Sequence, residues 1–336
     1  MNRSNSTTSS TAIVVAAVPV LGIIRIAILI SSFILNAIVL SVYLMRPKLR
    51  TPFCIYIICL LSSNILELLL LFPFTIANDL GTNANRFVLG KIGCSVYGYG
   101  VSITRSCCLC SHALITINRI WAMTFPISYK NVHSSRFAAI LCICVILALH
   151  AIMIQGLVLS ERTRPRPVEK WGCWYQVRTG SIATSVGFHS FFTLPVVIVA
   201  TYPYLFCKYL KARKQVMAQD GKSVAPADAK ASRTFGVVTM LSLCTIVCWL
   251  PELLVVILMN NVGTRAIFWS YPYVSFFSCF QVLFDPMFLL ITSRELRYGL
   301  LSVVCGKTYA TEKLGTLQMV TLARSSAKHH TVSSRV

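Results

Sequence analysis

Glu67, Arg105, Glu252 and Asp285 each interrupt a run of residues that otherwise carries no charge, at 52–76, 92–118, 234–259 and 266–293. An ionisable side chain at bilayer depth costs about 2.5–3.5 kcal/mol, so such a residue normally faces a protein interior and finds a partner there. Arg105 precedes Arg119 by 14 residues, close to four helical turns, which puts both on one helix face. Glu67 follows Asn64 by three residues and Glu252 follows Trp249 by three, one turn away on the same face in each case. None of this builds a reaction centre. The chain carries no nucleophile–base pair, no phosphate loop and no paired carboxylates placed for hydrolysis, so neither an enzyme nor a cofactor is expected. His112 and His150 are expected to hydrogen-bond between helices. No Cys/His spacing resembles a zinc site, no metal is expected, and Cys107, Cys108 and Cys110 read as small packing residues.

The elements that position these groups follow from hydropathy. Charge-free runs at 26–45, 137–160 and 179–207 join the four interrupted ones, making seven. Each is long enough for a helix to cross a hydrocarbon core, which takes about 20 residues. Strands of a membrane barrel would be shorter and would alternate in polarity. Backbone groups in lipid must be satisfied within the segment, so each run is expected to be a helix. Composition agrees: of 336 residues, 56% are hydrophobic and 12% charged, with a mean hydropathy of +0.70. A soluble domain carries about 25% charged residues. Disordered, collagen-like and disulfide-scaffold classes are excluded with it.

The net charge of +21 does not point to nucleic acid, because no basic run is interleaved with aromatics. Basic residues of membrane proteins gather on the cytoplasmic side and meet anionic lipid there. With the N-terminus outside, the inner segments 46–51, 119–136, 208–233 and 294–336 hold 20 Lys or Arg and the outer segments nine. Arg25 and Arg105 fall within spans. The chain is therefore expected to be multi-pass in the plasma membrane, N-terminus outside and C-terminus cytoplasmic. Asn2 and Asn5 head N-x-S/T sequons, which serve as glycosylation sites only outside. Of 14 cysteines, only Cys94 and Cys173 fall in outer segments, the compartment where a disulfide persists. No cleavable-signal pattern opens the sequence, so the first span is expected to act as an uncleaved anchor. The expected organisation is an outer glycosylated tail at 1–17, a helical membrane domain at 18–303, and a disordered cytoplasmic tail at 304–336.

Several landmarks then fall in order. Asn36 lies in the first run and Pro73 nine residues after Asn64 in the second. Phe87-Val88-Leu89-Gly90 precedes Cys94, and Arg119 follows Cys94 by 25 residues, with Pro126 after it. Pro195 lies in the fifth run, Cys248-Trp249-Leu250-Pro251 in the sixth and Asp285-Pro286 in the seventh. An amphipathic stretch at 293–303 precedes Cys305. Over about residues 18–305 the chain resembles a rhodopsin-like (class A) G-protein-coupled receptor: an all-α membrane protein, a seven-helix bundle with a short amphipathic membrane-surface helix. The departures are specific. The acidic-Arg-aromatic triplet reads Asn118-Arg119-Ile120. Asn64 and Asp285 exchange the usual Asp and Asn. Leu289 and Pro203 stand at two usual tyrosines and Thr245 at a usual aromatic, the fourth helix lacks its Trp, and Cys108 replaces a usual Ser. The seventh run has no lysine, which excludes a retinal Schiff base and so an opsin.

The resemblance implies a receptor for an extracellular ligand that activates a heterotrimeric G protein. It implies a Cys94–Cys173 disulfide, coupling through Asn118, Arg119 and Ile120, and a palmitoyl anchor on Cys305. It implies a hinge at Trp249, Pro251, Asp285 and Pro286, because intrahelical prolines remove a donor and let a helix swing in two segments. It also places Arg105, Glu252, Glu67, Trp249 and Val101 around a ligand cavity. Arg105 is expected to pair with Glu252, Glu67 or both, either as a ligand-sensitive contact or as a permanent structural ion pair. Arg105 and the basic outer face favour a ligand with an anionic group, such as a lipid, nucleotide or peptide; the two carboxylates leave an amine open. Asn118 cannot restrain Arg119 by charge, so raised basal signalling is expected. The Ser/Thr-rich tail would bind arrestin once phosphorylated. Two other readings are a receptor-like scavenger or dimer partner that does not signal, and a transporter, for which the internal repeats are missing.

Overall fold

The computed structural model describes residues 7–80, 90–162, 203–204, 207, 210–211, 226–261 and 265–304. Every regular element among the described residues is helical. Helix α1 spans Thr7–Met45, so most of the expected outer tail is helical backbone continuous with the first span. A 3-10 turn at Pro47–Leu49 leads to Thr51, whose side chain accepts from Cys54 N and caps α2, Pro52–Leu70. Pro52 at the first helical position loses nothing, since that N–H would have no partner within the helix.

Pro73 does break its span. Helix α2 ends before Leu71 and α3 (Phe72–Leu80) begins after it, because Pro73 cannot donate to the carbonyl four residues back. The flanking bonds survive: Leu71 N donates to Glu67 O at 2.9 Å and Thr75 N to Leu71 O at 3.1 Å. Helix α4, Gly90–Thr124, carries both Arg105 and Arg119. Short α5 (Pro126–Val132) leads into α6, Ser135–Arg162. Helix α7, Pro226–Asn261, contains Pro251, and α8, Arg265–Thr292, contains Pro286; neither proline interrupts its helix. Ser293 then caps α9 (Arg294–Val304) by accepting from Leu296 N at 3.2 Å. This is the expected amphipathic helix, displaced by one residue.

By length and apolarity, five described segments can cross a membrane: Gly22–Met45, Pro52–Ile76, Val96–Thr124, Ser135–Ile154 and Tyr273–Thr292. The expected sixth span is present as a shorter apolar stretch, Thr239–Glu252, within α7. Of the expected fifth span only Pro203, Tyr204 and Cys207 are described, all helical. Asn2, Asn5, Cys173, Pro195, Cys305 and the Ser/Thr-rich tail lie outside the described residues, as does the side chain of Cys94. Helix α4 packs against α2, α6 and α7, while α8 packs against α7 and α1. Ile140, Ile143 and Leu147 of α6 stay exposed, an apolar outer face that suits lipid rather than water.

Two local constructions close the Arg119 end. His133, between α5 and α6, is buried and shares a hydrogen bond of 3.1 Å with Tyr56. The rings of Trp121, Tyr129 and Phe137 surround it at centroid distances of 5.3, 4.6 and 5.7 Å. Burial lowers the His133 pKa, so the native state prefers the neutral ring. The unfolded chain then binds the extra proton first, and stability falls as pH drops below about 6.5. Elsewhere α9 rests on α1 at Gly299, where an added Cβ would meet Val42 Cγ1 at 2.8 Å.

Both constructions can be checked by thermal unfolding of the detergent-solubilised chain. Gly299→Ala should lower stability by about 1–3 kcal/mol through overpacking. Gly236→Ala, where nothing lies within 4 Å, should be neutral or stabilising by up to about 1 kcal/mol. His133→Asn should flatten the loss of stability between pH 7.5 and pH 5.5 (about one unit either side of the unfolded value); an unchanged pH slope would remove His133 as its source.

Candidate functional site

The buried charges of α4 and α7 meet. Arg105 Nη1 donates to Glu252 Oε1 in a salt bridge whose side chains are 9% and 4% exposed. Leaving either charge without a partner in such surroundings would be far costlier than keeping the pair. The Arg105 guanidinium also lies over the Trp249 ring, 5.2 Å from its centroid. A desolvated cation–π contact of this kind contributes about 2 kcal/mol. Arg105 therefore touches the residue beside Pro251 and a carboxylate one turn farther along the same helix.

Glu67 does not take the Arg105 hydrogen bond; it borders the same space from α2. It is 4% exposed, and its Oε2 has no hydrogen-bond partner. A small cavity is lined by Arg25, Glu67, Thr75, Arg105 and Ser275 among others. Arg25, from α1, is itself buried and donates to Ser275 Oγ of α8 at 2.9 Å. Sequence reasoning placed Arg25 inside a span but gave it no role; its charge at membrane depth was the available signal. Two guanidinium groups and the Glu67 carboxylate thus border one small polar space. The cavity is about 20 Å³, room for roughly one water. A ligand would have to part these walls. Val101, one turn from Arg105 toward the Cys94 end, is half-buried.

A second polar layer lies deeper, toward Arg119. Asn64 Nδ2 donates to Asp285 Oδ2 at 3.1 Å and to Asn36 Oδ1 at 3.3 Å. Asn36 in turn donates to Val282 O at 2.8 Å. The exchanged amide and carboxylate are therefore direct partners. His112 Nε2 lies 3.3 Å from Asp285 Oδ2 and 2.7 Å from Gln281 Nε2, while Tyr99 and His150 share a bond of 2.8 Å between α4 and α6. Both histidines thus bond across helices. Cys108 is not merely a packing residue: its thiol donates to Asn64 Oδ1 at 3.4 Å. Gln281 and Thr245 complete the layer, with Nε2 donating to Thr245 Oγ1 at 3.4 Å. The sequence signal missed here was the four-residue spacing of Cys108 and His112 on one helical face.

At the far end, Arg119 stacks on Phe53 of α2, its guanidinium carbon 3.4 Å from the ring centroid. Among the described residues no carboxylate pairs with it. Neighbouring Asn118 is 3% exposed, and neither its Oδ1 nor its Nδ2 has a partner. Ile120 is half-buried beside them.

The model of the family described as "7 transmembrane receptor (rhodopsin family)" matches residues 35–289. Rhodopsin of Sargocentron microstoma is 26% identical over 325 residues, covering 93% of this chain and 90% of its own length. Rhodopsin of Chelon labrosus is 26% identical over 332 residues, covering 95% and 90%. Rhodopsin of Sarpa salpa is 26% identical over 326 residues, covering 93% and 88%.

The ion pair makes a clear prediction for stability. Arg105→Met takes from buried Glu252 its salt-bridge partner, and should destabilise the purified chain by about 3–5 kcal/mol. Glu252→Gln should cost a similar amount, and the double variant should regain most of the loss. Additive losses in the thermal unfolding of the double variant would show that the two charges do not depend on each other.

Proposed function

We propose that this chain, which belongs to the rhodopsin family of seven-transmembrane receptors and so to receptors that couple to G proteins, binds an extracellular ligand with an anionic group near Arg105, Glu252, Glu67 and Trp249. The supporting observation is the Arg105–Glu252 pair lying over Trp249. An anionic group entering the cavity competes with Glu252 for Arg105. Loss of that bond frees α7 from α4 at the level of Trp249 and Pro251. The ligand thereby favours the arrangement in which α7 has moved, and a heterotrimeric G protein captures it at Asn118, Arg119 and Ile120. Arg25 gives the ligand a second cation beyond the one held by Glu252.

In this reading the chain lies in the plasma membrane with its N-terminus outside, glycosylated at Asn2 and Asn5 and closed outside by a Cys94–Cys173 disulfide. Cys305 carries a lipid, and the phosphorylated tail recruits arrestin. The relatives named above are rhodopsins, but the seventh helix here has no lysine to bind retinal as a Schiff base, so a diffusible ligand fits better than a bound pigment. Asp285 and Pro286 complete the hinge from α8. A receptor that binds ligand without signalling is a second reading. Leu289 favours it: the residue is 1% exposed and packs in the apolar core where the resembled receptors carry a tyrosine.

Nucleotide exchange on G proteins, measured in membranes bearing the chain, separates the two. Basal exchange should exceed that of membranes lacking it, because Arg119 has an aromatic partner instead of an acidic one. Asn118→Asp should reduce that basal rate by about 5-fold or more, for a coupling of at least ~1 kcal/mol, and Arg119→Gln should abolish it. Exchange that stays at background with the wild-type chain, with and without anionic ligand collections, would establish the non-signalling reading.

A further inference from the structure

Glu67 is a charged group that the ligand site leaves unanswered. It is 4% exposed and lines the cavity, yet its Oε2 has no hydrogen-bond partner among the described residues. A buried charged acceptor without a donor is costly, and a molecule entering this cavity can supply one. We propose, resting on the ligand site inferred above, that the ligand is a small zwitterion: a primary ammonium group donates to Glu67, and a singly charged anionic group meets Arg105 and Arg25.

Charge balance selects the ligand. With Glu252, whose carboxylate is tied to Arg105, the charged side chains described at this level are two guanidinium and two carboxylate groups, a formal sum of zero. A simple anion would leave the buried site negative and would set its own charge against that of Glu67. A zwitterion adds no net charge, and each of its ends finds an opposite one. The difference is large in surroundings of low dielectric, where like charges repel strongly and an uncompensated ion is poorly solvated. A doubly charged head, such as a phosphate monoester, is disfavoured on the same ground.

The lining suits both ends of such a molecule and the body between them. An ammonium group carries three donors and no acceptor. Glu67 Oε2 takes one of them, and the hydroxyls of Thr75 and Tyr97, 3.4 Å apart at the same cavity, offer further oxygens. For the anionic end, Arg25 comes from α1 and Arg105 from α4, and each guanidinium presents a fork of donors. Leu71 and Phe72 also line the space, which fits a short aliphatic body. They stand at the break between α2 and α3, where Pro73 removes a helical bond. The wall that must yield to a ligand is therefore a compliant one. Glu67 is the residue that separates an anion bearing an amine from a plain one.

The test follows thermal unfolding of the full chain in detergent as straight-chain amino carboxylates of graded length are titrated in. Each is matched with the carboxylate lacking the amine and the amine lacking the carboxylate. A hydrogen bond to a charged group contributes a decade of affinity or more, so the best amino carboxylate should bind about 10-fold or more tightly than either match. Glu67→Gln keeps the shape and removes the charge. It should bring the amino carboxylate down to the level of the plain carboxylate, and leave the latter bound at least as well as before. The comparison of probes on the wild-type chain stands even where the variant does not fold. Glycerophosphoethanolamine, a soluble phospholipid headgroup with the same two charges, forms a second arm; tighter binding of it than of every amino carboxylate would assign the zwitterion to a lipid. Plain carboxylates that equal the amino carboxylates would overturn the zwitterion and leave the anionic site standing. Amines that equal them would overturn both. No shift with any probe at millimolar concentration would overturn the zwitterion as well, while nucleotide exchange still tests signalling on its own.

Discussion

A charged or strongly polar side chain in the middle of a lipid-embedded bundle has no water to solvate it, so its partners must come from neighbouring helices. The bundle is arranged around that requirement. Arg105 meets Glu252 across α4 and α7, and Arg25 meets Ser275 across α1 and α8. Apolar packing joins these helices but is weakly directional, because lipid tails are as apolar as leucine. The polar contacts supply direction. Each holds good over a narrow range of distance and angle, and together they set the rotation of α4 against its neighbours.

Helix α4 is common to three layers. Its Cys94 end faces the cavity through Arg105, its middle enters the Asn64–Asp285 layer through Cys108 and His112, and its other end places Arg119 on Phe53. A rotation that improves one layer moves the other two. Helix α7 contributes to the upper two layers, Glu252 and Trp249 above and Thr245 below. Pro251 lies in the upper level, between Trp249 and Glu252, and the carbonyl it cannot donate to, that of Val247, lies between the two levels. The proline leaves α7 continuous while removing one intrahelical bond, so a change at Glu252 has a compliant point at which to become movement.

The partnering at Arg119 differs in kind. An aromatic face attracts a guanidinium through its quadrupole, without the charge of a carboxylate. The contact is also less exacting in geometry than a bidentate ion pair. Asn118 adds no restraint, since both of its side-chain polar atoms are unsatisfied. The upper layer is thus closed by a full ion pair and the lower end by a softer contact, an asymmetry that makes the Arg119 end the easier one to rearrange.

Much of this was legible in the chain itself. Long apolar runs must become helices in lipid, and a lone charge within one must point inward, so Glu67, Arg105, Glu252 and Asp285 stood out before any coordinates. Helical period also put Arg105 and Arg119 on one face. What period cannot supply is the partner. Whether Arg105 takes Glu252 or Glu67 depends on the tilt and rotation of three helices, and the fold chose Glu252. The meeting of Cys108 and His112 with Asp285, 173 residues after His112, was invisible for the same reason. Sequence determines which side of a helix is polar because that follows from 3.6 residues per turn; which polar sides meet follows from packing between helices, and only the tertiary structure decides it.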